Sequence, residues 1–268
     1  MADFTAKDVQ ALRQATGAGM MDAKKALQDA DGDIEQAKKI LREKGLAKAD
    51  DRSGRENAQG AIAIAIATNS GTVGLVELKC ETDFVAKSAN FIALTQQLAD
   101  SVAARGEAAV DGHKVAVDDL KVTLKENIQV GRVVQLEVAE GQVVDTYLHR
   151  QEGRGVNGVV VVLQGGTPEL AHDIAVHVAF AKPQYLARDE VPAAVADAER
   201  ETLLGITKAE GKPEAAWPKI VEGRLGGWYK ERVLREQPFV RDEKQTIAQV
   251  AAGGEAEIVR FAQLFIGG

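Results

Sequence analysis

Four histidines, one cysteine and two glycine-rich runs are the residues whose chemistry is read first. His113, His149, His172 and His177 form no H-E-x-x-H pattern, and His172 and His177 are spaced so that one helix would not present both on the face that metal ligands share. No metal site is expected. Cys80 has Lys79 beside it, but Glu81 and Asp83 oppose thiolate formation, which makes it a small buried filler and not a nucleophile. The run "GITKAEGKP" at 205–213 has one residue too many for a phosphate-binding loop and a proline where the hydroxyl should stand. "GRGVNG" at 153–158 matches G-x-G-x-x-G, yet it precedes a valine-rich strand instead of following one into a helix, so it reads as a hairpin loop. Carboxylates are abundant, but no pair stands out for acid/base work. Catalytic residues, cofactor and metal are therefore all expected to be absent.

One stretch remains unexplained by core-building alone: "LKCETDFVAKSANF" at 78–91. It begins as the end of a strand and finishes as the start of a helix, and Asp83 and Phe84 sit in the short connection. The chain has only seven Phe, two Trp and three Tyr, so an aromatic ring at a turn beside a carboxylate asks for a reason.

The elements around it are set by periodicity. Residues 1–50 read as three short helices. Thr5 caps the first with Asp8 as capping-box partner, and Val9, Leu12 and Ala15 share a face. "TGAG" at 16–19 breaks it. Asp22 is a cap for the second helix, with Ala23, Ala26 and Leu27 inward, and "DADGD" at 29–33 leads into a third carrying Ile34, Ala37, Ile40 and Leu41. Gly45 is expected to stop that helix. Residues 51–60 are charged and aperiodic and read as a linker.

From residue 61 the period becomes two. Ile62, Ile64 and Ile66 alternate with alanines, "NSG" at 69–71 turns the chain, and "TVGLVELK" returns. A helix with Phe91, Ile92, Leu94, Leu98 and Val102 then packs on the sheet. A second block opens near Val133 with "VVQLEVAE", "VVDTYLHR" and "GVNGVVVVL", followed by "TPELAHDIAVHVAFAKP", which Thr167 caps and Pro168 starts. Gly71, Gly74, Leu75, Val76 and Leu78 correspond to Gly155, Gly158, Val159, Val160 and Val162 at a constant shift, which reads as an internal duplication. Residues 189–232 read as a helical hairpin turned at "GKP", 211–213, and the tail adds a short helix and a last strand.

Composition fits a globular chain of more than one domain: 268 residues, 45% hydrophobic and 27% charged. The runs "AIAIAIA" and "VVVVL" are far below the roughly 18 residues of a spanning helix. The N-terminus lacks a basic region followed by an apolar stretch, so no secretory signal is expected. One cysteine permits no intramolecular disulfide and fits a reducing, cytoplasmic setting. The net charge of −7 argues against broad attraction to nucleic acid or anionic lipid.

Two phrases, "TGAGMMDAKKAL" at 16–27 and "CETDFVAKS" at 80–88, resemble the bacterial elongation factor Ts family, the nucleotide-exchange factors of elongation factor Tu. "HVAFAKP", "GKP", "VEGR" and "QPFV" follow in the same order, so the resemblance runs along essentially the whole chain. It implies an α+β fold: a three-helix, ubiquitin-associated-like head (1–50), a linker (51–60), two related α+β core subdomains with antiparallel sheets (61–132, and 133–188 with 233–268), and an inserted antiparallel coiled-coil hairpin (189–232). It also implies that Thr82, Asp83, Phe84 and Val85 disturb the magnesium site of elongation factor Tu, that Met20 and Met21 meet a helix of the partner's GTPase domain, and that His177 and its helix face another domain of the partner. The partner expected is elongation factor Tu, with no direct nucleic acid and no membrane, and the hairpin is a candidate surface for homodimerisation. The competing expectation is a non-catalytic scaffold whose head recognises a ubiquitin-like or helical partner.

Overall fold

The computed structural model describes residues 4–67 and 71–268, apart from the side chains at positions 47, 48 and 50. The fold is mixed α and β with antiparallel sheets. The chain divides into two compact units: Met1–Glu137 with Arg150–Asn157 and Leu264–Gly268, and Val138–His149 with Gly158–Gln263.

The first unit opens with α1 (Ala6–Thr16), α2 (Met20–Asp29) and α3 (Ile34–Asp50). The Thr5–Asp8 capping box is formed, and Gly17 ends α1 at φ 67°, a left-handed conformation that glycine adopts without penalty. Val9, Leu12, Ala23, Ala26, Leu27, Ala37 and Leu41 make the core of the three helices, whereas Ala15 is exposed. The expected cap at Asp22 is corrected: Gly19 is the N-cap and Asp22 lies in the first turn, where its charge suits the helix dipole. Gly45 does not stop α3, which continues to Asp50. Its missing side chain serves contact instead. A Cβ there would stand 2.6 Å from Val122 Cγ1, on α6 (Lys114–Leu124).

Strands β1 (Gln59–Ala67) and β2 (Thr72–Cys80) pair antiparallel from Gln59 opposite Cys80 to Ala67 opposite Thr72. The expected turn at "NSG" falls largely on residues outside the described ones. The helix α5 (Ala89–Arg105) lies on the small face of this hairpin, with Leu94, Leu98 and Val102 over Ala61, Ala63, Val76 and Leu78. The alanines let helix and sheet approach closely, and Ile66 on the other face is 50% exposed. The strand β3 (Gln129–Glu137) pairs with β2, Val133 opposite Val76. This corrects the reading in which Val133 opens the second block: those residues complete the first unit's sheet, and a boundary at 132/133 would cut a strand.

Strands β4 (Gln142–Gln151) and β8 (Ala256–Phe265) both pair with β5 (Arg154–Gly165); most of each belongs to the second unit, while Arg150–Asn157 and Leu264–Phe265 at their ends belong to the first. Glu152 and Gly153, at φ 51° and 84°, make the two-residue turn between β4 and β5; of "GRGVNG", read as the hairpin loop, only Gly153 lies in the turn, and the rest already belongs to β5. The helix α7 (Pro168–Ala181) is capped by Thr167 and starts with proline, as the sequence predicts. Ile174, Ala175 and Val178 pack on Val159, Val161 and Leu163 of β5, together with Leu234, Phe239 and residues of α10 (Ile247–Gly253). Helices α8 (Ala193–Ala209) and α9 (Trp217–Arg232) are joined through Gly211 at φ 69°. Ion pairs Arg200–Glu222 and Arg224–Glu210 link them. At their base Gln184 N donates to Arg232 O at 2.8 Å. The short strands β6 (Pro238–Phe239) and β7 (Asp242–Thr246) form a separate ribbon.

Candidate functional site

The connection between β2 and α5 holds a four-residue helix, α4 (Asp83–Ala86). Thr82 is its N-cap, in extended conformation, and its Oγ1 accepts a bond from Val85 N at 3.3 Å. One turn of helix places residues two apart on nearly opposite sides. Ala86 is buried and Val85 packs against the core under α5, so Phe84 is forced outward, and it is 79% exposed. An exposed phenyl ring is ordinary in isolation. Its support is what distinguishes it.

Three carboxylates and one lysine brace the turn. Glu126 Oε2 accepts from Glu81 N at 3.0 Å and Thr82 N at 3.1 Å, and Glu126 Oε1 accepts from Thr82 Oγ1 at 2.5 Å. Glu81 Oε1 in return accepts from Asn127 N at 2.7 Å. On the other side Lys87 Nζ pairs with Asp83 Oδ2 at 2.7 Å and with Glu152 Oε2 at 2.9 Å, and lies 5.2 Å from the centre of the Phe84 ring. The hydrogen bond from Lys87 holds the Asp83 carboxyl below its usual range, and Asp83 followed by Glu152 raises the lysine. Asp83 is thus an ionised acceptor committed to Lys87 in this structure. Cys80 is fully buried at the end of β2, and burial pushes its thiol up to about 12, which leaves it protonated and inert.

Met20 and Met21, in the first turn of α2, are 51% and 74% exposed, while Ala23, Ala26 and Leu27 of the same helix face inward. Both thioethers are therefore surface groups. His177 is not: it is 1% exposed, its Nε2 donates to Gln237 Oε1 at 3.0 Å and its Nδ1 accepts from Val240 N at 3.3 Å. Burial lowers its pKa. The imidazole thus belongs to the interior, and the group that α7 shows to solvent is Phe180, 78% exposed. Phe180 was missed from sequence, although its position was legible: it is out of phase with Ala171, Ile174, Ala175 and Val178. Glu126 and Glu152 were missed as well, because nothing local in the chain ties them to Phe84; Lys87 was missed although its i,i+4 spacing from Asp83 was legible.

The remaining histidines are dispersed. His113 Nε2 lies 2.8 Å from Ser101 Oγ, and His172 Nδ1 lies 2.6 Å from Asp145 Oδ2 beside Tyr147. Among the described residues, no group of three His, Cys, Asp or Glu side chains is placed to hold a metal ion, and no helix is long and apolar enough to cross a membrane. "GITKAEGKP" lies in the end of α8 and the turn after it, not in a strand-to-helix loop.

Residues 81–268 match the family described as Elongation factor TS. The chain is 44% identical to the elongation factor Ts of Renibacterium salmoninarum and 43% identical to that of Micrococcus luteus, with all of this chain and all of each relative aligned. It is also 43% identical, again over both full lengths, to the elongation factor Ts of Clavibacter michiganensis subsp. michiganensis. The protein is accordingly a translation elongation factor. It belongs to the elongation factor Ts family.

Proposed function

We propose that this chain promotes the exchange of GDP for GTP on elongation factor Tu by pressing the Thr82–Val85 turn into the region that supports the partner's magnesium ion. A GTPase holds GDP in part through Mg²⁺ bridging phosphate oxygens and loop side chains, so moving the elements behind the ion weakens both ligands together. The observation that carries the reading is Phe84, 79% exposed on a turn braced from two sides. Burying that ring between partner helices supplies about 1.5–3 kcal/mol. Asp83 adds a negative charge that competes for groups ordering the metal site, Thr82 fixes the turn, and Val85 anchors it to the core.

Nothing in this mechanism calls for a covalent step. The factor acts by binding, and the coupling is reciprocal: it weakens GDP by the factor by which GDP weakens it. Each tenfold acceleration of release needs roughly 1.4 kcal/mol of differential binding in the release transition state, so other contacts must hold the wedge in place. Met20 and Met21 suit an adaptable apolar contact with a helix of the GTPase domain. The contact assigned to the His177 helix falls to Phe180, since the imidazole is buried. The setting is the cytoplasm, with elongation factor Tu as the partner.

Release of fluorescent GDP from elongation factor Tu, followed with and without the chain, tests the reading. Acceleration that saturates with the concentration of the chain is the expected result. An unaltered rate at every concentration removes it.

A further inference from the structure

Helix α4 is too short to hold itself. A turn of four residues gains almost nothing from helix propagation, and the N–H groups of Glu81 and Thr82, just past the last paired residue of β2, have no strand opposite them. One side chain satisfies both. The Glu126 carboxylate accepts Glu81 N–H and Thr82 N–H on one oxygen and the Thr82 hydroxyl on the other. Three bonds to an ionised acceptor are stronger than their neutral counterparts. The hydroxyl that Glu126 holds is the same one that caps Val85 N, so the rotamer of Thr82 and the first turn of α4 are set together.

The anchor itself is fixed. Glu126 is half-buried and is followed by Asn127, 4% exposed, and Ile128, fully buried. Asn127 Nδ2 donates to Arg55 O at 2.6 Å and Ser53 O at 3.1 Å, and Asn127 N donates to Glu81 Oε1. The connection between α6 and β3 and the end of β2 are thus tied in both directions.

We infer that Glu126 is a positioning residue for Phe84: its carboxylate sets the angle at which the ring leaves the turn, and so sets the release rate without touching the partner. The inference rests on the exchange reading above. A misplacement of about 1 Å in a group that acts in a transition state can cost on the order of a hundredfold in rate. A loosened turn therefore lowers the maximal rate of GDP release. The concentration needed for half-saturation, set mainly by contacts far from the turn, stays nearly constant.

The test uses the full chain with elongation factor Tu and fluorescent GDP. Glu126→Ala is expected to lower the maximal release rate by about tenfold or more while half-saturation moves by less than about threefold. Glu126→Gln, which keeps one acceptor oxygen for the backbone N–H groups, is expected to fall between parent and alanine, and it decides the matter alone if the alanine variant does not fold. Added to Phe84→Ala, Glu126→Ala is expected to change the rate little further, because it acts through the ring. A maximal rate within about twofold of the parent in the variants that fold, or a full further loss on the Phe84→Ala background, overturns the inference. A purely stabilising role would give the first of these outcomes, with a lowered melting temperature. If the parent chain itself fails to accelerate release, it is the exchange reading that falls.

Discussion

Phe84 and His177 show how far a residue's role departs from its type. The phenyl ring is apolar and stands in water, while the imidazole is polar and lies in the core, each because of its phase on a helix. Removing an exposed ring changes stability by no more than about 0.5 kcal/mol, whereas losing 1.5–3 kcal/mol of transition-state contact slows a reaction by roughly 10- to 150-fold. Phe84→Ala should therefore melt like the parent and slow GDP release from elongation factor Tu within that range; unchanged release would take the ring out of the mechanism. The buried imidazole has its pKa lowered from 6.5. On acidification the unfolded chain takes up that proton first, so the stability this group contributes is present above about pH 6.5 and is lost as pH falls toward the lowered native value. The slope is at most about 1.4 kcal/mol per pH unit for one proton. Urea unfolding across this range should show a shallower pH dependence in His177→Gln than in the parent; equal slopes would mean that the ring is not the group responsible.

At the scale of elements, the turn is only as well placed as the hairpin and helix on either side of it. β2 and α5 approach so closely that a Cβ on Gly74 would stand 2.5 Å from Ala99 O and 2.6 Å from Ala103 N, both backbone atoms. Gly74→Ala must push strand and helix apart, and overpacking of this kind costs about 1–3 kcal/mol. A melting temperature equal to the parent's would refute the close approach. The shift also moves the start of α5 relative to the end of β2, so release is expected to slow beyond what the lost stability explains. The Lys87 clamp should be insensitive to pH across the neutral range. Asp83 has its pKa lowered, so its contribution is lost only as pH falls into the acid range, and Lys87 has its pKa raised, so its contribution is lost only as pH rises into the alkaline range.

For the whole molecule, the proposed exchange divides between surfaces that hold and a surface that acts. Met20, Met21 and Phe180 are the exposed apolar groups assigned to holding. Truncating Met20 and Met21 together to alanine should raise the half-saturating concentration by roughly tenfold or more, since each thioether contributes on the order of 1 kcal/mol when covered, and should leave the maximal release rate nearly unaltered. Phe180→Ala should do the same. A fall in the maximal rate with unchanged half-saturation would place these residues with Phe84 and not among the grips. The net charge of −7 leaves steering to local patches and not to the field of the whole chain.

What could be read from the amino-acid sequence rests on residues within about one helical turn of each other, and even there the cap at Asp22 and the Lys87–Asp83 pair were not read correctly. The Thr5–Asp8 box, the Thr167 cap with Pro168, the alternation of β1 and the inward phase of α5 all follow from spacing, and all were legible. The tertiary structure alone decided what depends on partners far along the chain. Gly45 resembles a helix stop, but it is a contact point for Val122. Val133 reads as the start of a block, but it closes the sheet opposite Val76. The turn at Thr82–Val85 could be quoted from the sequence, yet Glu126 and Glu152, which keep it in place, could not. A hydrogen bond or ion pair across that separation leaves no periodic trace, because it needs only one donor and one acceptor brought together by the packing of everything between.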